Sequence, residues 1–251
     1  MWLAADPAKR WMERFVLVYT PVWIAVATAC MATRVFAHLG EAGHLAIGLG
    51  LSAPLWLVPL FAAPPSERER PFAERHSTRF HLWIGLFSLL QVYFGSGLFF
   101  DVLGMEYHFP VKLIVHRTPL FLYFLTVAYF STYYVAMSLV WRAFRRRWPS
   151  APALARLVVL CALGFTVAFA ETASMANPLM RDYFLYRDKR FALEFGSMSY
   201  GSIFVLSLPF VFRLDEEPTA PRPRLSALAL EVLAVNMLAL IGYELWAAVL
   251  R

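Results

Sequence analysis

Apolar residues in this chain gather into seven long runs, each separated from the next by charged residues or prolines. The runs fall near residues 15–36, 45–63, 80–100, 118–140, 153–175, 195–212 and 226–249. About 20 residues of helix cross the hydrocarbon of a bilayer, so each run is long enough to span it. Pro64, Pro65, Pro110, Pro119, Pro149, Pro152, Pro178, Pro218, Pro221 and Pro223 punctuate the joins. Pro21, Pro54, Pro59 and Pro209 fall within or near the ends of spans, where neighbouring helices can satisfy the freed backbone groups. The pattern predicts an all-α fold: a polytopic membrane helix bundle of about seven transmembrane helices. Residues 1–251 are expected to form one integral membrane domain with no internal repeat and no soluble module.

Composition agrees with that reading. The chain is 60% hydrophobic, whereas soluble domains rarely exceed about half apolar residues. Residues 1–14 carry Asp6, Lys9, Arg10, Glu13 and Arg14 and lack a small-residue cleavage site after a short apolar core. The first run is therefore expected to remain as a span. Lys and Arg concentrate at Lys9–Arg14, Arg68–Arg79, Arg142–Arg156 and Arg213–Arg224, which places the N-terminus inside. The join carrying Arg181, Arg187, Lys189 and Arg190 runs against this bias. Arg142 to Arg147 reads as a topology anchor.

The net charge of +6 would suggest nucleic acid in a soluble protein. Here the arginines flank spans, where they serve topology and contact with anionic lipid, so the expected partner is the bilayer and not nucleic acid. Cys30 and Cys161 lie inside apolar runs and give neither a disulfide framework nor metal-ligand spacing. The six histidines lie in joins or at span ends without a one-turn pair, so no metal is expected. Arginine-rich, lysine-poor usage points to a bacterial cytoplasmic membrane more than to an endoplasmic reticulum.

Glu171 carries the main candidate chemistry. It closes an apolar run from Leu157 to Ala170 that has no nearby compensating charge. A carboxylate in hydrocarbon costs several kcal/mol, so it pairs, takes up a proton or works. With the N-terminus inside, Asp101, Glu171, Glu194 and Glu244 fall in one outer layer, near Arg34, Lys112, Arg117 and Arg181. Charges at helix ends also reach simply to water, and that reading applies to Asp101 and Glu194 above all. Gln91 and Asn236 lie mid-membrane, where amides commonly bond across helices. Asn236 and Glu244 are about two turns apart and are expected to share a broad face. Tyr133 and Tyr134 either pack or line an apolar slot that steadies a cation. Ser197 and Gly201 form a small-residue pair suited to close helix approach.

Several segments together resemble the cycloeucalenol cycloisomerase family of sterol-biosynthetic membrane enzymes. They are Trp11-Met12-Glu13, Tyr19-Thr20-Pro21-Val22-Trp23, Val102-Leu103-Gly104 and Tyr107-His108-Phe109-Pro110. Further along come Glu171-Thr172 with Ala176-Asn177, Gly196-Ser197 with Tyr200, the run from Pro209 to Glu216, Glu231, and Glu244-Leu245-Trp246. The resemblance runs nearly end to end, and its ordered set is more specific than any one motif.

The resemblance implies a membrane sterol isomerase that opens a 9,19-cyclopropane ring. An acid protonates the ring carbon, a cation forms at carbon 9, and a base removes the carbon 8 proton to leave an 8(9) double bond. No cofactor is called for, and the substrate is a sterol or other polycyclic lipid. A dry site would keep a carboxylic acid protonated for the task. Glu171 is then the expected acid, with Glu244 and Asn177 as catalytic partners. Thr172, Tyr133, Tyr134, Gln91, Asn236 and Tyr200 are the expected substrate-binding residues. Where the family pattern has histidines in spans three and four, this chain has Gly97, Leu120, Val127 and Tyr134. The rival readings are another sterol or isoprenoid double-bond isomerase and a non-enzymatic sterol- or lipid-binding membrane protein.

Overall fold

The structure is a computed structural model that describes residues 2–217 and 219–250; Pro218, one of the joining prolines, lies outside the described residues. Seven helices in it are long and apolar enough to cross a membrane. They are α1 (Pro7–Ala32), α2 (Glu41–Ala62), α3 (His76–Val102), α4 (Leu120–Arg147), α5 (Ala153–Met175), α6 (Lys189–Arg213) and α7 (Leu225–Leu250). The all-α membrane bundle predicted from the apolar runs is the architecture observed.

The helices outrun the apolar runs because charged residues at their ends are paired within the protein. α1 starts at Pro7, where Asp6 accepts from the backbone N–H groups of Ala8 and Lys9 and so caps the first turn. Lys9 and Glu13, which precede the apolar run, are buried. Arg142, read from the sequence as part of a topology anchor, is 1% exposed. It donates to Glu13 at 2.6 Å and to Glu216 at 2.6 and 2.8 Å, while Lys9 reaches Glu216 at 3.0 Å. Beside this group Asp215 accepts from Arg79 at 2.6 Å, meets His76 Nδ1 at 2.7 Å and faces Arg222 at 3.4 Å. One buried ionic layer thus ties α1, α3 and α4 to the chain just beyond α6.

Inward of that layer the core is aromatic. Trp83 and Phe87 on α3, Phe130 and Tyr134 on α4 and Phe204 on α6 pack edge-to-face or stacked, with centroids 5.0–6.1 Å apart. Large apolar side chains such as Val18, Leu154, Leu230 and Val249 face outward on α1, α5 and α7, as lipid contact requires. α5 and α6 approach closely where Gly164 meets Gly201, since a Cβ on Gly164 would lie 2.7 Å from the Gly201 carbonyl oxygen. The expected role of Gly201 in close helix approach is therefore realised against Gly164.

At the far end of the bundle the joins are ordered. β1 (Met105–Tyr107) follows α3; β2 (Ile114–Val115) and β3 (Thr118–Pro119) form a short antiparallel ladder before α4; and β4 (Phe184–Tyr186) lies between α5 and α6. β1 and β4 pair antiparallel, with Met105 opposite Tyr186 and Tyr107 opposite Phe184. The apolar runs gave no sign of these strands.

Two outcomes follow. Gly164→Leu should destabilise the bundle by about 1–3 kcal/mol through overpacking, read as a lower unfolding midpoint in detergent. Burial opposes the charge on Asp215, but its bond to His76 and the positive Arg79 and Arg222 outweigh this and hold the carboxyl down at about 2. A carboxyl depressed on folding contributes stability that is complete above its ordinary value and lost as pH falls toward about 2. Asp215→Asn should cost about 3–5 kcal/mol at neutral pH by stranding Arg79, and should flatten the acid limb of a stability-against-pH curve.

Candidate functional site

Glu171 lies in the last turns of α5, before Asn177 and Pro178 end the helix. It is seven residues beyond Gly164, almost two full turns, and so projects from the same side of α5 toward α6. The close approach at the glycines lets Tyr200 of α6 reach it: Tyr200 Oη donates to Glu171 Oε2 at 2.7 Å. The Tyr133 hydroxyl of α4 is a second hydrogen-bonding neighbour of the carboxyl. Tyr107, Tyr186 and Tyr243 line one cavity beside it, and Tyr129 lines another. Among the described residues no Lys or Arg is recorded as an ion-pair partner of Glu171; its recorded side-chain partners are phenols.

The carboxyl stands on a wall between two cavities. The first, with about 660 Å³ of empty space, lies among α3, α4, α5, α6 and α7 and is lined by Gln91, Phe99, Phe130, Thr172, Tyr200 and Tyr243, among others. Met105, Tyr107, Phe184 and Tyr186 line it too, so the paired strands β1 and β4 roof it. Outside the roof Arg187 donates to Glu106 at 2.6 Å, joining the two strands a second time. Burial pushes the phenols of Tyr107 and Tyr186 above their ordinary range, and nearby Tyr186 and Glu171 respectively add to the shift. Both therefore remain neutral hydroxyls.

The second cavity, with about 1030 Å³ of empty space, lies between α1, α4 and α5. Trp23, Met31, Tyr129 and Tyr133 line it along with Glu171, and its rim residues Ile24 and Leu179 are exposed on the outside of the bundle.

Two π-helical turns interrupt the helices that carry the site, Leu98–Val102 at the end of α3 and Ala192–Gly196 in α6. Such turns admit an extra residue and occur often at functional sites. The first carries Phe99 to the cavity wall, where its ring meets Tyr200 at 5.0 Å and Tyr243 at 6.5 Å, edge-on in both cases.

The residues proposed from the sequence divide into three groups. Glu171, Thr172, Tyr200 and Gln91 line the first cavity together. Tyr133 and Asn177 line the second with Glu171, but the Asn177 side chain is taken up by backbone: it accepts from Leu179 N at 2.8 Å and donates to the Ser174 carbonyl. Asn236, Tyr134 and Glu244 line neither cavity. Asn236 stands behind Gln91 and bonds to it at 2.7 Å. Tyr134 is 0% exposed, meets Ser207 at 2.5 Å and packs in the aromatic core. Glu244 faces out of the bundle, and its neighbour Tyr243 takes the inward position. At 3.6 residues per turn, eight residues beyond Asn236 is about 80° off its face and seven is only about 20° off.

The expected layer of acids also separates. Asp101 pairs with Arg117 at 2.7 Å and Glu194 with Arg190 at 2.8 Å, all of them exposed. Glu231 accepts from Trp83 Nε1 at 3.1 Å and from Arg213. Sequence reasoning passed over Tyr107, Tyr186, Tyr243 and Phe99. Of these only Tyr107 stood in a motif already singled out; the others had no periodic signal.

No protein-family model matches the chain, and no solved structure matches it. A curated relative from Arabidopsis thaliana, named cycloeucalenol cycloisomerase, is 30% identical over 251 residues, covering 98% of this chain and 88% of the relative. Gly97, Leu120, Val127 and Tyr134, which stand where the family pattern has histidines, line neither cavity.

Proposed function

Since the chain belongs to the cycloeucalenol cycloisomerase family, we propose that it is a membrane sterol isomerase that opens a 9,19-cyclopropane ring, with Glu171 as its general acid. The observation that carries the assignment is a carboxyl on a cavity wall, bonded by Tyr200 and surrounded by phenols with no basic partner recorded. The sterol lies in the first cavity under the β1–β4 roof. Glu171 delivers its proton to the ring carbon as the bond between carbons 9 and 19 breaks, giving a methyl group at carbon 19 and a cation at carbon 9. The carbon 8 proton then leaves, its bonding pair forms the 8(9) double bond, and the conjugate base of Glu171 accepts it. Atoms and charge balance, and the acid is regenerated.

The surrounding groups support each stage. The Tyr200 hydroxyl, with Tyr133 beside it, stabilises the carboxylate left after proton delivery. The rings of Phe99, Phe130, Tyr107 and Phe184 give the cation an apolar wall with negative ring electrostatics. Access from the membrane by way of the second cavity suits a flat lipid, because Ile24 and Leu179 open that cavity to the outside of the bundle. The arginine-rich composition supports a bacterial cytoplasmic membrane as host. Asn177, Tyr134 and Glu244 have no part in this mechanism, since their side chains are engaged elsewhere or face away.

The test is to express the protein in a sterol-free host, supply a 9,19-cyclopropyl sterol in deuterated water and analyse the sterols by mass spectrometry. The expected product is an isomer of the substrate with one deuterium in the carbon 19 methyl. Glu171→Gln should lower the rate by about 10²–10⁴-fold, the range of general acid–base contributions, and Tyr200→Phe by less. Full turnover by the Gln variant would sink the assignment of Glu171.

A further inference from the structure

Two polar atoms near the first cavity have no partner among the described residues: Gln91 Oε1 and Tyr243 Oη. Both residues are more than nine-tenths buried and both line the cavity. In a protein interior, and more so within a bilayer, an unpaired amide oxygen or hydroxyl is costly, so a ligand group that pairs it relieves that cost.

The orientation of the Gln91 amide is fixed from behind. On α7, Asn236 Nδ2 donates to the Val232 carbonyl one turn back, at 2.9 Å. That leaves Asn236 Oδ1 facing α3, where it needs a donor, and Gln91 Nε2 supplies it at 2.7 Å. Turning over the Gln91 amide would set oxygen against oxygen, and turning over Asn236 would set its oxygen against the Val232 carbonyl. Gln91 Oε1 is therefore left as the free acceptor. Tyr243 lies seven residues beyond Asn236, on nearly the same face of α7, so one helix places both the support and the second polar group.

Gly95 lets the two side chains approach each other. A Cβ there would sit 2.9 Å from Gln91 Oε1 and 2.9 Å from Tyr243 Cε2. An amide oxygen only accepts, whereas a phenol can donate. The group that satisfies both at once is an alcohol, donating its proton to Gln91 and accepting one from Tyr243. A carboxylate or an ether has no proton for Gln91, and the cavity wall here offers no recorded cation.

We propose that Gln91 and Tyr243 form a hydroxyl-binding subsite that holds the alcohol of a polycyclic lipid, with Asn236 as the positioning residue. This rests on the reading of the cavity as a sterol site and names how the sterol is held. Phe99 touches both Tyr243 and Tyr200, so the subsite and Glu171 share one continuous wall. An anchored hydroxyl fixes the ring system along that wall and presents it to the acid. The subsite is also a specificity determinant, because a lipid without a free hydroxyl leaves both polar atoms unpaired.

The experiment measures binding and product separately, on the purified full chain in detergent. A radiolabelled 9,19-cyclopropyl sterol with a free 3-hydroxyl is displaced by the unlabelled alcohol or by its methyl ether. The unmodified protein should prefer the alcohol about tenfold, the weight of one buried hydrogen bond. Gln91→Leu should remove that preference, and Tyr243→Phe, which keeps the ring, should weaken both ligands. Equal binding of alcohol and ether by the unmodified protein would overturn the subsite, as would a preference that survives in Gln91→Leu or no sterol binding at all. Clear discrimination without ring-opened product would overturn the isomerase reading and leave the subsite standing. Ring opening of alcohol and ether with equal KM would do the reverse.

Discussion

A bilayer interior supplies no water, so every polar group carried into it must be satisfied by the protein or by what the protein binds. The rest of this structure follows from how the two ends of the bundle meet that demand. At the end bearing the N-terminus, Lys9, Glu13, Arg142 and Glu216 saturate one another, and Asp215 gathers His76, Arg79 and Arg222. The layer is densely paired, and its partners come from distant parts of the chain. Removing one member strands the others, so it fixes which helices stand side by side.

The other end meets the same demand incompletely. Glu171 has phenols in place of a cation, and Gln91 and Tyr243 retain bonding capacity toward a cavity. A polar network that falls short of closure in hydrocarbon is unstable unless something completes it, and a hydroxylated lipid has the required donor, acceptor and apolar bulk. The two ends therefore differ in role: in the first, opposite charges pair across helices and hold the fold, while in the second Glu171, Gln91 and Tyr243 border a cavity that the proposed lipid would fill. Family membership and the position of Glu171 agree with that division.

Rigid elements place the unfinished end. Gly164 and Gly201 bring α5 against α6 so that Tyr200 reaches Glu171, and the aromatic core of α3, α4 and α6 backs the cavity. The π-helical turn at Leu98–Val102 re-aims Phe99 without ending its helix. The β1–β4 pair then closes the top with tyrosines whose hydroxyls stay neutral. A cationic intermediate in such a site would meet rings and phenols before it met water.

Much of this was written in the chain. Seven apolar runs of spanning length determined the fold class, because only helices can satisfy backbone groups in hydrocarbon. The lone acid at the end of the fifth run singled out Glu171, because burying a carboxylate without purpose is too costly to be neutral. Helical spacing was read one residue off at α7: Glu244 was expected to share a broad face with Asn236, whereas a seven-residue step keeps Tyr243 on that face and Glu244 is exposed. Arg142 read only as a topology anchor because its partners, Glu13 and Glu216, lie 129 and 74 residues away in sequence. The same distance hid the pairing of β1 with β4 and the bond from Tyr200 to Glu171 across two helices. Local periodicity and transfer cost act on each segment by itself and are legible in order; which polar atoms find partners across the bundle, and which are left open to a ligand, depends on how the segments stand together, and only the tertiary structure decided that.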